Sequence, residues 1–161
     1  MRSARLMTAA IATATLGVLV STGAAQAQPS AGHGLLASYQ GKTIDLSKDW
    51  QGAHTCAVFT QDDIRCYSSA AAGENDWLCL YQYKKGEGKR LIFKDEHWQN
   101  LDDYGFDNKT SSWRNRQGSG DTGKLAQYEN GSSSGWNIKL SAKGYVSDMG
   151  SKDNQASSVH G

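Results

Sequence analysis

Two copies of an oxygen-rich hexapeptide are the part of this chain whose residue types and spacing could do chemistry. Residues 107–112 read DNKTSS, and residues 153–158, which begin 46 positions later, read DNQASS. Their carboxylate, amide and hydroxyl oxygens are the hard ligands that Ca²⁺ prefers. Either copy alone would more simply form an Asx turn, because Asp and Asn side chains hydrogen-bond to nearby backbone groups. The duplication favours metal binding, so the sequence predicts a doubled Ca²⁺-binding module.

An aromatic residue and a glycine, separated by six residues, precede each hexapeptide. The pairs are Tyr81 with Gly88 and Tyr128 with Gly135, and the two tyrosines lie 47 positions apart. Two landmarks that recur in the same order indicate a duplicated structural unit. Short apolar segments separated by Gly, Asn, Asp and Ser predict that each unit is built from β-strands.

The expected strands are short and fall at matching places in the two repeats. They cover residues 77–82, 90–93 and 110–115 in the first repeat, and residues 125–128, 136–140 and 157–160 in the second. Within the first repeat, residues 95–101 have the composition of one short helical turn.

The combined pattern, an aromatic-x6-Gly strand followed by [Asp/Asn]-[Asp/Asn]-x-x-[Ser/Thr]-Ser, resembles the βγ-crystallin Greek-key signature. More narrowly, residues 95–116 look like the secreted actinobacterial proteins of peptidase inhibitor family I36, and they read DEHWQNLDDYGFDNKTSSWRNR. The resemblance implies an all-β fold, a two-motif Greek-key β-sandwich of the βγ-crystallin type that follows a short Cys-containing N-terminal segment. It also implies a positive φ at Gly88, which favours glycine because a Cβ is disfavoured there.

The same resemblance implies which atoms would hold paired Ca²⁺ ions. In the family, each loop gives side-chain oxygens from its first and fifth positions and carbonyl oxygens from its backbone, and the two loops exchange ligands. Carried over by position, the side-chain candidates are Asp107, Ser111, Asp153 and Ser157. The carbonyl candidates lie near Asn108, Lys109, Asn154 and Gln155, with further carbonyls from the turns near Glu87 and Ser134.

The composition of the loops sets an expected strength of binding. One carboxylate per loop predicts weak affinity, about 10 µM to 1 mM, at the extracellular end of the Ca²⁺ range. The ammonium of Lys109 should weaken the first site further. The sixth positions, Ser112 and Ser158, are expected to start the strand by hydrogen-bonding the loop rather than to contact the ion.

The amino terminus predicts export. Arg2 and Arg5 precede an uncharged stretch over residues 6–26, and Ala25-Gln26-Ala27 has the small-x-small pattern of a signal-peptidase site. The most apolar part of this stretch is short for a membrane span. We therefore expect a signal peptide over residues 1–27 and a secreted, extracellular chain.

Net charge excludes some partners. Removing two arginines takes the formal charge from +1 to −1, which leaves no basic field to hold nucleic acid or anionic lipid. We expect a monomer with no nucleic-acid partner and, after removal of the signal peptide, no membrane partner. With 18 glycines and a mean hydropathy of −0.61, the core should be small and should gain from a bound ion or a disulfide.

Three cysteines, an odd number, allow one intramolecular bridge in an exported chain. We favour Cys56 with Cys66, because a turn at Gln61-Asp62 could bring the two sulfurs together in a hairpin. A bridge between Cys66 and Cys79 is the alternative. No Cys-x2-Cys or His-x3-His spacing supports a zinc site.

The mature chain divides into two parts. Residues 28–76 form an N-terminal segment that is expected to be partly flexible, with a Pro-, Gly- and Ser-containing lead-in over residues 28–49 and a polar link over residues 70–75. Residues 77–161 form the βγ-crystallin-like domain, with repeats at 77–116 and 124–161.

No catalytic motif points to an enzyme. The four histidines share no common spacing, and no Gly-x-Ser-x-Gly elbow occurs. The family resemblance implies a peptidase inhibitor whose partner is a secreted metalloprotease. A Ca²⁺-stabilised structural or stress module of the cell envelope and a small secreted toxin or antimicrobial stay open as alternatives.

Export gives the first testable expectation. Protein recovered from the culture medium should begin at Gln28, because the signal-peptidase pattern ends at Ala27. Intact-mass measurement of the secreted protein checks the cleavage position. A full-length chain retained in the cells would contradict the prediction.

Overall fold

A computed structural model of the protein describes residues 34–70 and 77–161. The expected signal peptide, the start at Gln28 and residues 71–75 of the polar link lie outside these residues. The described part contains twelve β-strands in two sheets and four short 3-10 turns. Within the same ranges, no helix has the length and hydrophobicity needed to cross a membrane.

The described chain begins with a tight β-hairpin. Its strands are β1, Leu36–Tyr39, and β2, Lys42–Asp45. They pair across Gln40 and Gly41, which both have positive φ angles, 49° and 74°. Two positive φ angles in succession match the twist of the flanking strands, and Ile44 is buried in the core. The expected flexible lead-in over residues 28–49 is therefore wrong from Leu36 onward, because the hairpin packs one face inward.

A second hairpin carries the disulfide. Its strands are β3, Thr55–Thr60, and β4, Asp63–Tyr67. Cys56 and Cys66 are direct cross-strand partners with Cα atoms 4.1 Å apart, and they form the bridge, which confirms the preferred pairing. Cys79 keeps a buried thiol, and its burial raises the pKa of that thiol.

Eight further strands form two copies of a four-stranded motif. The first motif consists of β5, Leu78–Tyr81, β6, Arg90–Phe93, β7, Trp98–Asn100, and β8, Ser112–Asn115. The second consists of β9, Gly123–Ala126, β10, Asn137–Leu140, β11, Tyr145–Val146, and β12, Ser158–His160. Six of the eight strands overlap the segments that the sequence predicts.

The two motifs exchange their third strands. The smaller sheet has the order β10-β9-β12-β7, so β7 of the first motif pairs with β12 of the second. In the larger sheet, β11 of the second motif pairs with β8 of the first. This arrangement is a two-motif Greek-key β-sandwich of the βγ-crystallin type, and it confirms the predicted fold class.

The N-terminal strands extend the larger sheet rather than forming a separate tail. The order of this eight-stranded sheet is β11-β8-β5-β6-β3-β4-β1-β2. The junction is a parallel pairing of β3 with β6, in which Cys56 lies opposite Leu91 and Val58 opposite Phe93. The expected boundary at residue 77 therefore separates two parts of one sheet.

The core is continuous across the same junction. Trp50, which precedes β3, donates from Nε1 to the carbonyl oxygen of Tyr104 at 2.8 Å and stacks on Phe106 with ring centroids 5.9 Å apart. All three side chains are buried. The N-terminal segment thereby packs on residues just before the first hexapeptide.

The expected helical turn over residues 95–101 is wrong. Trp98–Asn100 is the exchanged strand β7, and the 3-10 turn follows at Asp102–Tyr104. Tertiary pairing decides the conformation, because β7 obtains its backbone partners from β12 of the other motif.

Candidate calcium sites

The two hexapeptide loops lie side by side and are bonded to each other. The backbone N–H of Asn108 donates to the carbonyl oxygen of Ala156 at 2.9 Å, and the N–H of Asn154 donates to the carbonyl oxygen of Thr110 at 3.0 Å. The Ser111 hydroxyl donates to Asn154 Oδ1 at 3.3 Å. The strand exchange thus brings the duplicated residues, 46 positions apart in sequence, to one place.

The backbone conformation at the second position of each loop explains why asparagine occurs there. Asn108 has φ of 53° and Asn154 has φ of 55°, which lie in the left-handed region. Asparagine tolerates this region better than most residues with a Cβ, because its short amide can hydrogen-bond locally. The φ angles at the second position of the two loops therefore match.

The first position of each loop holds a buried carboxylate oxygen with no hydrogen-bond partner. These atoms are Oδ1 of Asp107 and Oδ1 of Asp153. The second oxygens have neighbours: Asp107 Oδ2 accepts from Asn108 Nδ2 at 2.8 Å, and Asp153 Oδ2 lies 3.8 Å from Lys84 Nζ. A buried polar atom left without a partner destabilises a fold by about 1–3 kcal/mol, and more when the group is charged. A bound cation would satisfy both orphaned oxygens, so the residues present fit Ca²⁺.

Carbonyl and hydroxyl oxygens would have to complete any such site. Among residues 34–70 and 77–161, no three His, Cys, Asp or Glu side chains are grouped so that they could hold a metal ion together. The side chains of Lys109 and Gln155 turn toward their own loops, where Lys109 Nζ donates to the carbonyl oxygen of Gly105 and Gln155 Nε2 to that of Ser151. The Gln155 side-chain oxygen accepts from Trp136 Nε1 at 3.3 Å, so the backbone carbonyls are the candidate ligands at these two positions.

The sixth positions anchor the turns of their own motifs. The Ser112 hydroxyl donates to the carbonyl oxygen of Tyr83 at 2.7 Å and accepts from the N–H of Gly86 at 3.0 Å. The Ser158 hydroxyl donates to the carbonyl oxygen of Tyr128 at 2.6 Å and accepts from the N–H of Gly131 at 3.0 Å. Both hydroxyls hydrogen-bond to the backbone, but their partners lie in the turn between the first two strands of each motif and not in the hexapeptide loop.

Those turns correct the alignment of the two repeats. The 3-10 turns Lys84–Gly86 and Glu129–Gly131 follow Tyr83 and Tyr128, which have closely similar backbone angles. The structural partner of Tyr128 is therefore Tyr83, and the predicted match with Tyr81 is two residues out of register. The loop between β5 and β6 is shorter than the loop between β9 and β10, which shifts the spacing. Gly88 has the expected positive φ of 75°, whereas Gly135 does not have a positive φ.

The corrected alignment places opposite charges at equivalent positions. Lys84 of the first turn lies 3.0 Å from Asp148 Oδ2, and this contact raises the pKa of the Lys84 ammonium. The pKa of Asp148 is lowered by the N–H of Gly150 and then by Lys84. Glu129 takes the place of Lys84 in the second turn. Burial, and then neighbouring carboxylates that include Glu129, raise the pKa of Asp103.

Sequence reasoning missed both Lys84 and Glu129 as site residues. Matching Tyr81 with Tyr128 would pair Glu129 with Gln82 instead of with Lys84. A better signal is the pair Gln82 and Gln127, whose side-chain oxygens accept backbone N–H groups of Lys89 and Trp136 at corresponding points of the two motifs.

Solved βγ-crystallin structures are similar to about half of this chain. One, from work on the evolution of the eye lens βγ-crystallin domain fold, is 15% identical with a TM-score of 0.48 and covers 57% of this chain and 90% of its own. A βγ-crystallin from Ciona intestinalis is 25% identical with a TM-score of 0.42 and covers 52% of this chain and 96% of its own. Hahellin, another βγ-crystallin, is 23% identical with a TM-score of 0.41 and covers 55% and 91%. No family model and no curated protein matches the sequence. The resemblance to the I36 inhibitor family stays a prediction.

The anchoring serines give a prediction about stability. Ser112→Ala and Ser158→Ala should each lower the free energy of unfolding by about 1–3 kcal/mol, because each change leaves a turn N–H and a carbonyl without their hydroxyl partner. The matched control is Ser133→Ala, at an exposed position in the loop between β9 and β10. This variant should change the free energy of unfolding by less than about 0.5 kcal/mol. Urea unfolding measures all three variants. Losses no larger than that of the control would contradict the anchoring role.

Proposed function

We propose that this chain is a secreted, Ca²⁺-binding protein of the βγ-crystallin type. The observation that carries the proposal is the pair of buried, unpartnered carboxylate oxygens, Asp107 Oδ1 and Asp153 Oδ1, at the first positions of duplicated and mutually bonded loops. A solvated Asx turn would not require the same orphaned oxygen at both positions.

The chain's own residues define how an ion would be held. Asp107 and Asp153 would give carboxylate oxygens, Ser111 and Ser157 would give hydroxyl oxygens, and backbone carbonyls of the loops and turns would complete the ligand set. When bound, Ca²⁺ would supply a positive charge to offset the buried carboxylates of Asp107 and Asp153. With few carboxylates, the affinity should stay in the weak range of about 10 µM to 1 mM.

The disulfide supports the secreted location. Bridges such as Cys56–Cys66 persist in oxidising compartments and are rare where glutathione and thioredoxin keep thiols reduced. This bridge clamps the hairpin that joins the Greek-key sheet through β3.

Inhibition of a secreted metalloprotease is the second proposed role. The specific observation in its favour is that the turns Lys84–Gly86 and Glu129–Gly131 are largely exposed, yet the Ser112 and Ser158 hydroxyls fix their backbones. A loop that is already ordered loses less entropy on binding than a mobile one. An envelope module or a toxin would use the same scaffold without a protease partner.

Calcium binding should be visible as a stability change. Ca²⁺ at about 100 times its dissociation constant should add about 2.7 kcal/mol per occupied site and raise Tm by several degrees. The double variant Asp107→Asn/Asp153→Asn should lose this shift but stay folded without Ca²⁺, because it removes the two orphaned charges. The control is Asp62→Asn, which removes an exposed charge in the turn between β3 and β4 and should keep the full shift.

Thermal unfolding with Ca²⁺, with Mg²⁺ and with chelator measures the effect. An unchanged Tm on Ca²⁺ addition to the parent protein would remove the calcium assignment. Equal shifts in the parent and in the double variant would move the site elsewhere.

Protease inhibition has a separate test. The mature protein with Ca²⁺ present should slow peptide hydrolysis by a thermolysin-like protease at micromolar concentration and should leave a subtilisin-like protease unaffected. Variants Lys85→Ala and Asn130→Ala, at the exposed tips of the two turns, should weaken inhibition if these turns contact the enzyme. Absence of inhibition, or cleavage of the protein as a substrate, would leave the envelope module as the better interpretation.

A further inference from the structure

The turns beside the two candidate calcium loops carry opposite charges, and this difference affects how many Ca²⁺ ions the protein binds. Resting on the calcium-binding function proposed above, we infer that the Lys84 ammonium acts as a tethered cation in the loop of Asp153. The chain then binds one Ca²⁺ within the proposed affinity range, in the loop of Asp107, and a second ion more weakly.

The position of Lys84 carries the first step. Its Nζ lies 3.0 Å from Asp148 Oδ2 and 3.8 Å from Asp153 Oδ2, so one ammonium faces two carboxylates of the second motif. The turn that presents it is fixed by Ser112 and by the N–H of Lys85, which donates to the carbonyl oxygen of Ser147 at 2.7 Å. A positive charge is therefore built into the place where Asp153 would contribute to an ion.

The equivalent position in the other half carries the second step. Glu129 starts the second turn as Lys84 starts the first, and the N–H of the next residue, Asn130, donates to Asn100 Oδ1 at 2.8 Å, so this turn packs on the first motif. The Lys109 ammonium, which the sequence predicts to weaken the first site, donates to the carbonyl oxygen of Gly105 at 2.7 Å. The turn that faces the loop of Asp153 thus presents an ammonium, whereas the equivalent turn of the other half presents a carboxylate.

Electrostatics turn this difference into a difference in affinity. A divalent cation placed within several ångströms of an ammonium is repelled, and the same ion near an added carboxylate is attracted. The side chains of Lys84 and Glu129 are both exposed, so solvent reduces the effect but does not remove it. We expect the two loops to differ in Ca²⁺ affinity by more than about tenfold.

The experiment counts ions. Calorimetric titration of the mature protein with Ca²⁺ should give one binding event. The Asp107→Asn variant should lose this event, and the Asp153→Asn variant should keep it. Lys84→Gln should add a second event or strengthen a weak one by about tenfold or more. The matched control is Lys139→Gln, which removes an equal charge from an exposed position on β10 and should leave one event.

A charge exchange makes the test sharper. The variant Lys84→Glu/Glu129→Lys keeps the net charge and should move the stronger Ca²⁺-binding event from the loop of Asp107 to that of Asp153. Adding Asp153→Asn to this exchanged protein should then abolish it.

The outcomes separate this inference from the proposed function. No Ca²⁺ binding by the parent protein and by Lys84→Gln would overturn both. Two events of equal affinity in the parent, or a Lys84→Gln protein identical to the Lys139→Gln control, would overturn the tethered cation alone. A chemical-shift map showing the single ion in the loop of Asp153 would also overturn it.

Discussion

Each Greek-key motif gives its third strand to the sheet of the other, and the rest of the structure depends on this exchange. β7 and β11 obtain their backbone partners only from the opposite motif, so neither half can complete its sheet alone. The exchange also fixes the approach of the two hexapeptide loops, whose backbones then bond reciprocally through Asn108 and Asn154. The close approach of the two loops therefore follows from the topology of the strands.

The first, second and sixth positions of each hexapeptide loop have different structural roles. The first position places a buried carboxylate oxygen, the second takes a left-handed conformation, and the sixth uses its hydroxyl to hold a turn. The short pattern therefore serves folding as well as the proposed binding of Ca²⁺, and serine at the sixth position is explained by the turn alone. The charge at the start of each turn lies outside the repeated pattern, which lets Lys84 and Glu129 differ while the backbone stays the same.

The sequence predicts local features better than pairings that depend on distant strands. Residues 90–93 form a strand as expected, since apolar side chains mark it, and Cys56 and Cys66 meet because a turn lies midway between them. The polar segment that becomes β7 carries no such mark, because β12 imposes its conformation. The ordered hairpin near Leu36 was missed for a related reason, since Gln40 and Gly41 look like a flexible link until the strands beside them are known to pair.

The parallel pairing of β3 with β6 changes which strand lies at the edge of the larger sheet. In an isolated pair of motifs, β6 would expose a row of unpaired N–H and carbonyl groups, which is a template for association with another chain. Here β3 covers that row, and the exposed edge moves to β2, where Lys42 and Thr43 are exposed, whereas β6 carries the apolar run Leu91 to Phe93. A polar edge strand with a charged residue is poorly suited to pairing with a second copy. The N-terminal segment therefore covers a strand edge that could otherwise pair with a second copy. A form of the protein cut before β5 would expose that edge.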